Sequence, residues 1–175
     1  MNTSIFKCCL VLIPLLSLAS LRAQTLSTCQ APPPLPANPK PGVNSLTFSK
    51  DGKTLVVAAG DGKIRLLDAA SGTVQRTLTG HTNAIYIAVF SPDEKLLASS
   101  SRDLTARVWD VASGRELHKF TGFRCAVKSV AFSPNGRTIA ASGNDGMIKL
   151  WDLKTGNELQ SFVHINSADI DMSVY

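Results

Sequence analysis

The sequence predicts an all-β protein built from three copies of one four-stranded antiparallel unit. Residues of the same type recur 42 positions apart along the chain. The clearest series are Asp68, Asp110 and Asp152; Phe48, Phe90 and Phe132; Asp61, Asp103 and Asp145; and Gly72, Gly114 and Gly156. A fixed period without insertions indicates stacked copies of one supersecondary unit.

The second copy shows the order of elements within a unit. Apolar, β-prone runs predict strands at 85–90, 96–100, 105–109 and 116–120. The first turn contains Pro92, which presets φ, and Asp93, which can bond its own backbone. The third turn ends in Gly114, which can take a positive φ. Asp-Gly and Asn-Gly pairs at the equivalent turns of the other copies favour hairpins.

Three such units predict the blades of an incomplete or open β-propeller. One four-stranded sheet cannot bury both of its apolar faces alone, whereas stacked sheets bury them against each other. The units span 43–80, 81–122 and 123–162, and residues 163–175 form a tail or the start of a truncated fourth repeat. Closed propellers have about four to eight blades. The chain is therefore a piece of a longer propeller, pairs with a second copy to complete one, or stands as an open stack.

The N-terminal segment resembles an export signal followed by a linker. Lys7 precedes an apolar run at 8–18, and small residues follow it, so residues 1–23 predict a signal peptide cleaved after Ala19 or Ala23. The run is shorter than the about 20 residues that a membrane span needs. We therefore expect a periplasmic or secreted protein without a membrane span in the mature chain. Residues 24–42 are a linker with six prolines at 31–41, a spacer or a ligand for a proline-recognition domain.

The cysteines give little support for a metal or redox site. Cys8 and Cys9 lie in the predicted signal peptide, which leaves Cys29 and Cys125. Export would permit a disulfide between them, but the simpler expectation is two independent thiols. The sequence contains no CxxC pair, so zinc-ribbon and thioredoxin-like sites are excluded.

The charge balance argues against nucleic-acid binding. Lys and Arg outnumber Asp and Glu by 18 to 13, and removal of Lys7 and Arg22 with the signal peptide leaves a net charge of +3. Nucleic-acid binding requires a clustered basic face with stacking aromatics. The sequence shows no such cluster.

Residues 43–162 resemble the WD-repeat β-propeller family. The motifs that carry the resemblance are Gly80-His81, Phe90-Ser91-Pro92-Asp93, Leu97-Ala98-Ser99, Asp103 and Val108-Trp109-Asp110. The resemblance implies a structural hydrogen-bonded set of His81, Ser99, Asp103 and Trp109. The first copy has Val57 and Leu67 in place of the serine and tryptophan, and the third has Phe123 and Ala141 in place of the histidine and serine. Only the second copy therefore has the full set.

The resemblance implies a non-catalytic scaffold that binds other proteins. In that family, ligands commonly meet the loops that lead into the first strand and those between the second and third strands. The matching candidates for a partner-binding face are Tyr86, Arg102, Arg124, Lys128 and Asn144. Glu116 and His118 share one face of a predicted outermost strand, where solvated polar side chains are expected. No catalytic residue, cofactor or metal site is predicted. The alternative is the accessory propeller of a larger exported enzyme.

Overall fold

The computed structural model describes Pro33 and residues 42–163. The predicted signal peptide, nearly all of the linker and the tail after Val163 lie outside the described residues. The described part contains twelve β-strands and no helix, so it offers no helix that could cross a membrane. The strands are β1 (Val43–Phe48), β2 (Thr54–Ala59), β3 (Lys63–Asp68), β4 (Val74–Thr79), β5 (Ile85–Phe90), β6 (Leu96–Ser101), β7 (Ala106–Asp110), β8 (Glu116–Phe120), β9 (Val127–Phe132), β10 (Thr138–Gly143), β11 (Met147–Asp152) and β12 (Glu158–Val163).

The strands form three antiparallel four-stranded sheets, each a simple meander in chain order. We call them blade 1 (β1–β4), blade 2 (β5–β8) and blade 3 (β9–β12). Blade 1 packs on blade 2 through β1, β2 and β3 against β5, and blade 2 packs on blade 3 through β5 and β6 against β9. Within the described residues the sheets do not close into a ring. The predicted fold class, open propeller blades of four antiparallel strands, is confirmed.

The series Asp68, Asp110 and Asp152 belongs to turns rather than to a site. Asp110 accepts hydrogen bonds from the backbone N–H of Ser113 at 2.7 Å and from its hydroxyl, and Gly114 closes the turn at a φ of 75°. These bonds lower the pKa of Asp110. The other end of β7 has a second constraint, because Leu104 takes a φ of 69° in the turn from β6. Local side-chain to backbone bonds therefore set the strand spacing in each unit.

Two apolar layers hold the blades together. Between blades 1 and 2 lie Val56, Ala58, Ile64, Leu66, Leu78, Ile85, Ala88, Leu97 and Trp109. Between blades 2 and 3 lie Ala98, Ala106, Val108, Phe120, Phe123, Val127, Val130, Ile139, Ala141 and Trp151. Neighbouring residues of β6 and of β7 enter opposite layers, Leu97 against Ala98 and Trp109 against Val108, as expected from the two-residue period of a strand. It is therefore the blade covered on both faces, whereas Phe48 at the outer side of blade 1 is 62% exposed.

Candidate functional site

The structure brings the four side chains of the expected hydrogen-bonded set together inside blade 2. Trp109 Nε1 donates to Ser99 Oγ at 2.9 Å, and Ser99 Oγ lies 2.8 Å from His81 Nε2. His81 Nδ1 lies 2.7 Å from Asp103 Oδ2. Because Asp103 can only accept when ionised, His81 Nδ1 carries the proton and Nε2 accepts from the serine hydroxyl. The chain from tryptophan to aspartate is thus fully paired.

Burial and hydrogen bonding fix the charge of this set. Burial lowers the pKa of His81 and outweighs the opposing effect of Asp103. Burial alone would raise the pKa of Asp103, but hydrogen bonds from His81, Thr105 and the backbone N–H of Thr82 hold that pKa well below its usual range. At neutral pH the set therefore contains a neutral imidazole and one carboxylate.

The serine, histidine and aspartate are in the same order as in a hydrolase triad, but their environment prevents that chemistry. The side chain of His81 is 0% exposed, and Ser99 is also fully buried. The Ser99 oxygen is already bound to the indole N–H of Trp109 and to His81. A nucleophile must reach its substrate, so this set serves to hold β6, β7 and the His81 loop together.

Arg107 extends the polar set outward, a role that was not predicted from the sequence. This buried side chain donates through Nη1 to Glu116 at 2.6 Å and lies 3.5 Å from Asp103 through Nη2. Lys149, 42 positions later, donates to Glu158 at 2.9 Å. The signal was available, because basic residues occupy the same third-strand position in all three copies, beginning with Arg65.

Glu116 and His118 are each committed to a structural partner. Glu116 accepts a hydrogen bond from Arg107. His118 is half-buried and donates through Nε2 to the carbonyl oxygen of Leu153 in blade 3 at 2.9 Å. The expectation of a solvated side chain is therefore wrong for His118, which bridges two blades, whereas Glu116 is exposed.

Aromatic packing replaces the polar set in blade 3. The ring of Trp151 stacks on Phe120 of blade 2 at a centroid distance of 4.7 Å. It also meets Phe123, the residue at the histidine position, at 5.9 Å. Such ring pairs add about 0.5–1.5 kcal/mol beyond their buried area. Trp109 and Trp151 are therefore both buried but are held by different interactions.

A β-bulge marks the start of the first strand in every blade. The register shifts by one residue in the pairings β1–β2, β5–β6 and β9–β10, and the extra residues are Asn44, Tyr86 and Lys128. These positions are 42 residues apart. Lys128 Nζ lies 3.9 Å from the centroid of the Tyr86 ring, a cation–π contact between blades 2 and 3. Because bulges redirect side chains, the fold gives each blade one specially placed residue at this end.

The remaining candidate binding residues lie at the same end of the blades. The backbone N–H of Arg102 donates to Ala84 beside the β5 bulge, and that of Asn144 donates to Ala126 beside the β9 bulge, both at 2.9 Å. The N–H of Arg124 donates to Asp145 in the β10–β11 turn at 2.6 Å. We call the set Asn44, Tyr86, Arg102, Arg124, Lys128 and Asn144 the bulge face. Of these, only Asn44 was not anticipated from the sequence.

Cys125 adjoins the bulge face and is not an independent thiol. It is buried and disulfide-bonded, so the expectation of two independent thiols is wrong. Cys8, Cys9 and Cys29 lie outside the described residues. Asn83 contacts the N-terminal segment, because its side-chain amide donates to the carbonyl oxygen of Pro33 at 2.8 Å.

Comparison with known families agrees with this architecture. Residues 72–110 and 114–152 match the family model described as WD domain, G-beta repeat. The chain belongs to the WD-repeat family. Each matched WD repeat contains the last strand of one blade and the first three strands of the next, so it spans a blade junction. Residues 21–89 match the model described as Anaphase-promoting complex subunit 4 WD40 domain. No curated protein matches the chain.

Proposed function

We propose that this WD-repeat chain is a non-catalytic interaction module of an exported protein and binds a partner protein through the bulge face. WD repeats in general form protein-interaction scaffolds. The observation that carries the proposal is the set of three equivalent bulges. Several equivalent positions within the blades hold the same residue type in every copy, for example Phe48, Phe90 and Phe132. The bulges instead hold asparagine, tyrosine and lysine. Asn44 also bridges to blade 2, because its amide donates to the Ile85 carbonyl oxygen at 2.7 Å, but the variety of side chains favours recognition as a further role.

The scaffold beneath the bulge face is well suited to present it. Ser101 at the end of β6 donates to the carbonyl oxygens of Asn83 and Ala84 and accepts from the N–H of Asp103. These bonds fix the loop before β5 against the turn that carries Arg102. Loops on a rigid scaffold lose little entropy on binding. Tyrosine and arginine are also enriched among residues that dominate binding energy.

Site-specific photo-crosslinking tests the binding face. A benzophenone amino acid in place of Tyr86 should yield protein adducts of defined mass in the extracellular or periplasmic fraction of the source organism. The matched control carries the same group at Leu117, which is 47% exposed on β8. Arg102→Glu with Arg124→Glu should abolish the adducts formed from position 86. Equal adducts from both positions, or adducts that persist in the double variant, would contradict the proposal.

Export rests on the N-terminal sequence and needs its own test. Fusion of residues 1–42 to a reporter enzyme that is active only after secretion should give an active reporter. Replacement of Leu12, Leu15 and Leu16 by Glu within the apolar run should abolish that activity, because the run then loses its apolar character. An inactive wild-type fusion would argue that the chain stays in the cytoplasm.

A further inference from the structure

We propose that the bulge face recognises an acidic segment of its partner polypeptide. This inference rests on the proposed function and adds the chemical class of the partner. It follows from three features of the described residues: the exposed cations on this face, the inward use of the neighbouring carboxylates, and the covered ring of Tyr86.

Among the described residues, three exposed cations of the bulge face have no carboxylate partner. Arg102, Arg124 and Lys128 are all exposed. The ion pairs within the part of the chain that the structure describes engage other basic residues, namely Arg65, His81, Arg107 and Lys149. The sequence alone showed no clustered basic face, but the fold gathers these cations at one end of two adjacent blades. A partner's carboxylate that approaches this end can therefore pair with them.

The acidic residues nearest to these cations are directed into the scaffold. Asp103 follows Arg102 directly, but its oxygens accept from His81, Thr82 and Thr105, and its side chain is 3% exposed. Asp145 follows Asn144 and accepts from the backbone N–H groups of Arg124 and Met147. Their acceptor atoms are therefore already used. The three cations Arg102, Arg124 and Lys128 outnumber these two carboxylates, so this end of blades 2 and 3 keeps a positive balance.

The opposite end of the blades carries both signs of charge. Its turns place acidic and basic residues close together, as in Lys50 and Asp51, Asp93 and Lys95, and Asp152 and Lys154. A close pair of opposite charges has little field at a distance, where salt also screens it over a Debye length of about 8 Å. The bulge face therefore differs in that it exposes its cations while the Asp103 side chain, 3% exposed, is buried beneath them.

The face fits a carboxylate-bearing polypeptide better than a nucleic acid. Nucleic-acid binding by stacking uses several aromatic rings, one for each successive base, whereas the bulge face has the single ring of Tyr86, and the Lys128 ammonium group covers one side of it. Arginine guanidinium groups instead match carboxylates with two parallel hydrogen bonds. The exposed amide of Asn144 has both a donor and an acceptor, which suits a peptide backbone. Arg102 and Arg124 belong to neighbouring blades, so an extended segment with spaced carboxylates would engage both.

Fluorescence anisotropy with labelled probes tests the inference on the full chain. The probes are oligoglutamate, oligolysine and oligothymidylate. Oligoglutamate should bind, and Arg102→Glu with Arg124→Glu should weaken its affinity by about tenfold or more, because favourable contacts become repulsive. The charge-matched control is Arg115→Glu with Arg137→Glu, two exposed arginines outside the bulge face, which should change the affinity by less than about twofold.

The outcomes separate this inference from the proposed function. Equal losses in the two double variants would show that net charge alone drives binding and would overturn the inference. Absence of oligoglutamate binding would also overturn it. So would oligothymidylate that binds more tightly than oligoglutamate and loses as much affinity in the Arg102 and Arg124 double variant. If crosslinking from Tyr86 still depends on the arginines in those cases, the binding face stands and only the acidic class fails. Loss of both signals would remove the proposed function as well.

Discussion

Two neighbouring serines of β6 allow a direct test of the hydrogen-bonded set in blade 2. Ser99 and Ser100 are both 0% exposed, and alternation along the strand points them to opposite faces of the blade. The Ser99 hydroxyl connects Trp109 and His81 at 2.9 and 2.8 Å. The Ser100 hydroxyl has no hydrogen-bond partner among the described residues. Replacement of either serine by alanine removes the same oxygen from an equally buried site.

The two substitutions should have opposite consequences. Ser99→Ala leaves the Trp109 N–H without an acceptor and His81 Nε2 without a donor, both in a buried environment. An unsatisfied buried polar group costs about 1–3 kcal/mol, so we expect a loss of roughly 2–4 kcal/mol. Ser100→Ala removes a group that is already unsatisfied, so stability should be unchanged or rise by up to about 1 kcal/mol. The cost of the small void cancels in the comparison.

Equilibrium unfolding in urea, followed by tryptophan fluorescence, measures both effects. The midpoint should fall for Ser99→Ala and stay or rise for Ser100→Ala, with an unchanged dependence on denaturant. Losses that agree within about 0.5 kcal/mol would refute the reasoning. Such a result would mean that the set contributes no more than ordinary burial.

Three further predictions concern the same blades. Burial lowers the pKa of His81 below its ordinary 6.5, so the unfolded chain binds a proton at this residue more readily than the folded chain does. The free energy of unfolding should therefore fall as the pH drops below about 6.5. Urea titrations at several pH values should show this dependence in the wild-type chain and not in the His81→Phe variant. Trp109→Ala should destabilise more than Trp151→Ala in the same assay, and equal losses would favour burial over hydrogen bonding as the main contribution. Gly62→Ala should lower the melting temperature more than Gly52→Ala does. Both glycines have a positive φ, but only at Gly62 would an added Cβ lie 2.9 Å from the His81 carbonyl oxygen. Similar decreases in melting temperature for the two variants would show that the backbone strain of about 1–2 kcal/mol dominates.

The sequence predicted the strands well because their signals are local. The expected strands at 85–90 and 116–120 coincide with β5 and β8. The expected strand 96–100 is one residue shorter than β6, and 105–109 is displaced by one residue from β7. Turn residues and apolar alternation act over a few positions. Repetition in three copies strengthened each local signal. The members of the polar set were also named from the sequence, through the family resemblance.

Three features of the site were not predictable in this way. The bulges at Asn44, Tyr86 and Lys128 are shifts in pairing between two strands, so no single run of sequence contains them. The ion pair of Arg107 with Glu116 depends on the register of β7 and β8, which places Glu116 opposite Trp109. The disulfide of Cys125 was not expected, because cysteine spacing along the chain does not give distance in space.

The sequence by itself determined the 42-residue period, the four strands and turns of each unit, and the single complete polar set. The tertiary structure decided which faces the blades bury, which polar groups find partners, and where the bulge residues meet. The physical reason is the range of the interactions. Turns and strand propensities act between near neighbours, whereas the bond from His81 to Asp103 joins residues 22 positions apart and requires the strand register. The positive bulge face requires, in addition, the stacking of blade 3 on blade 2.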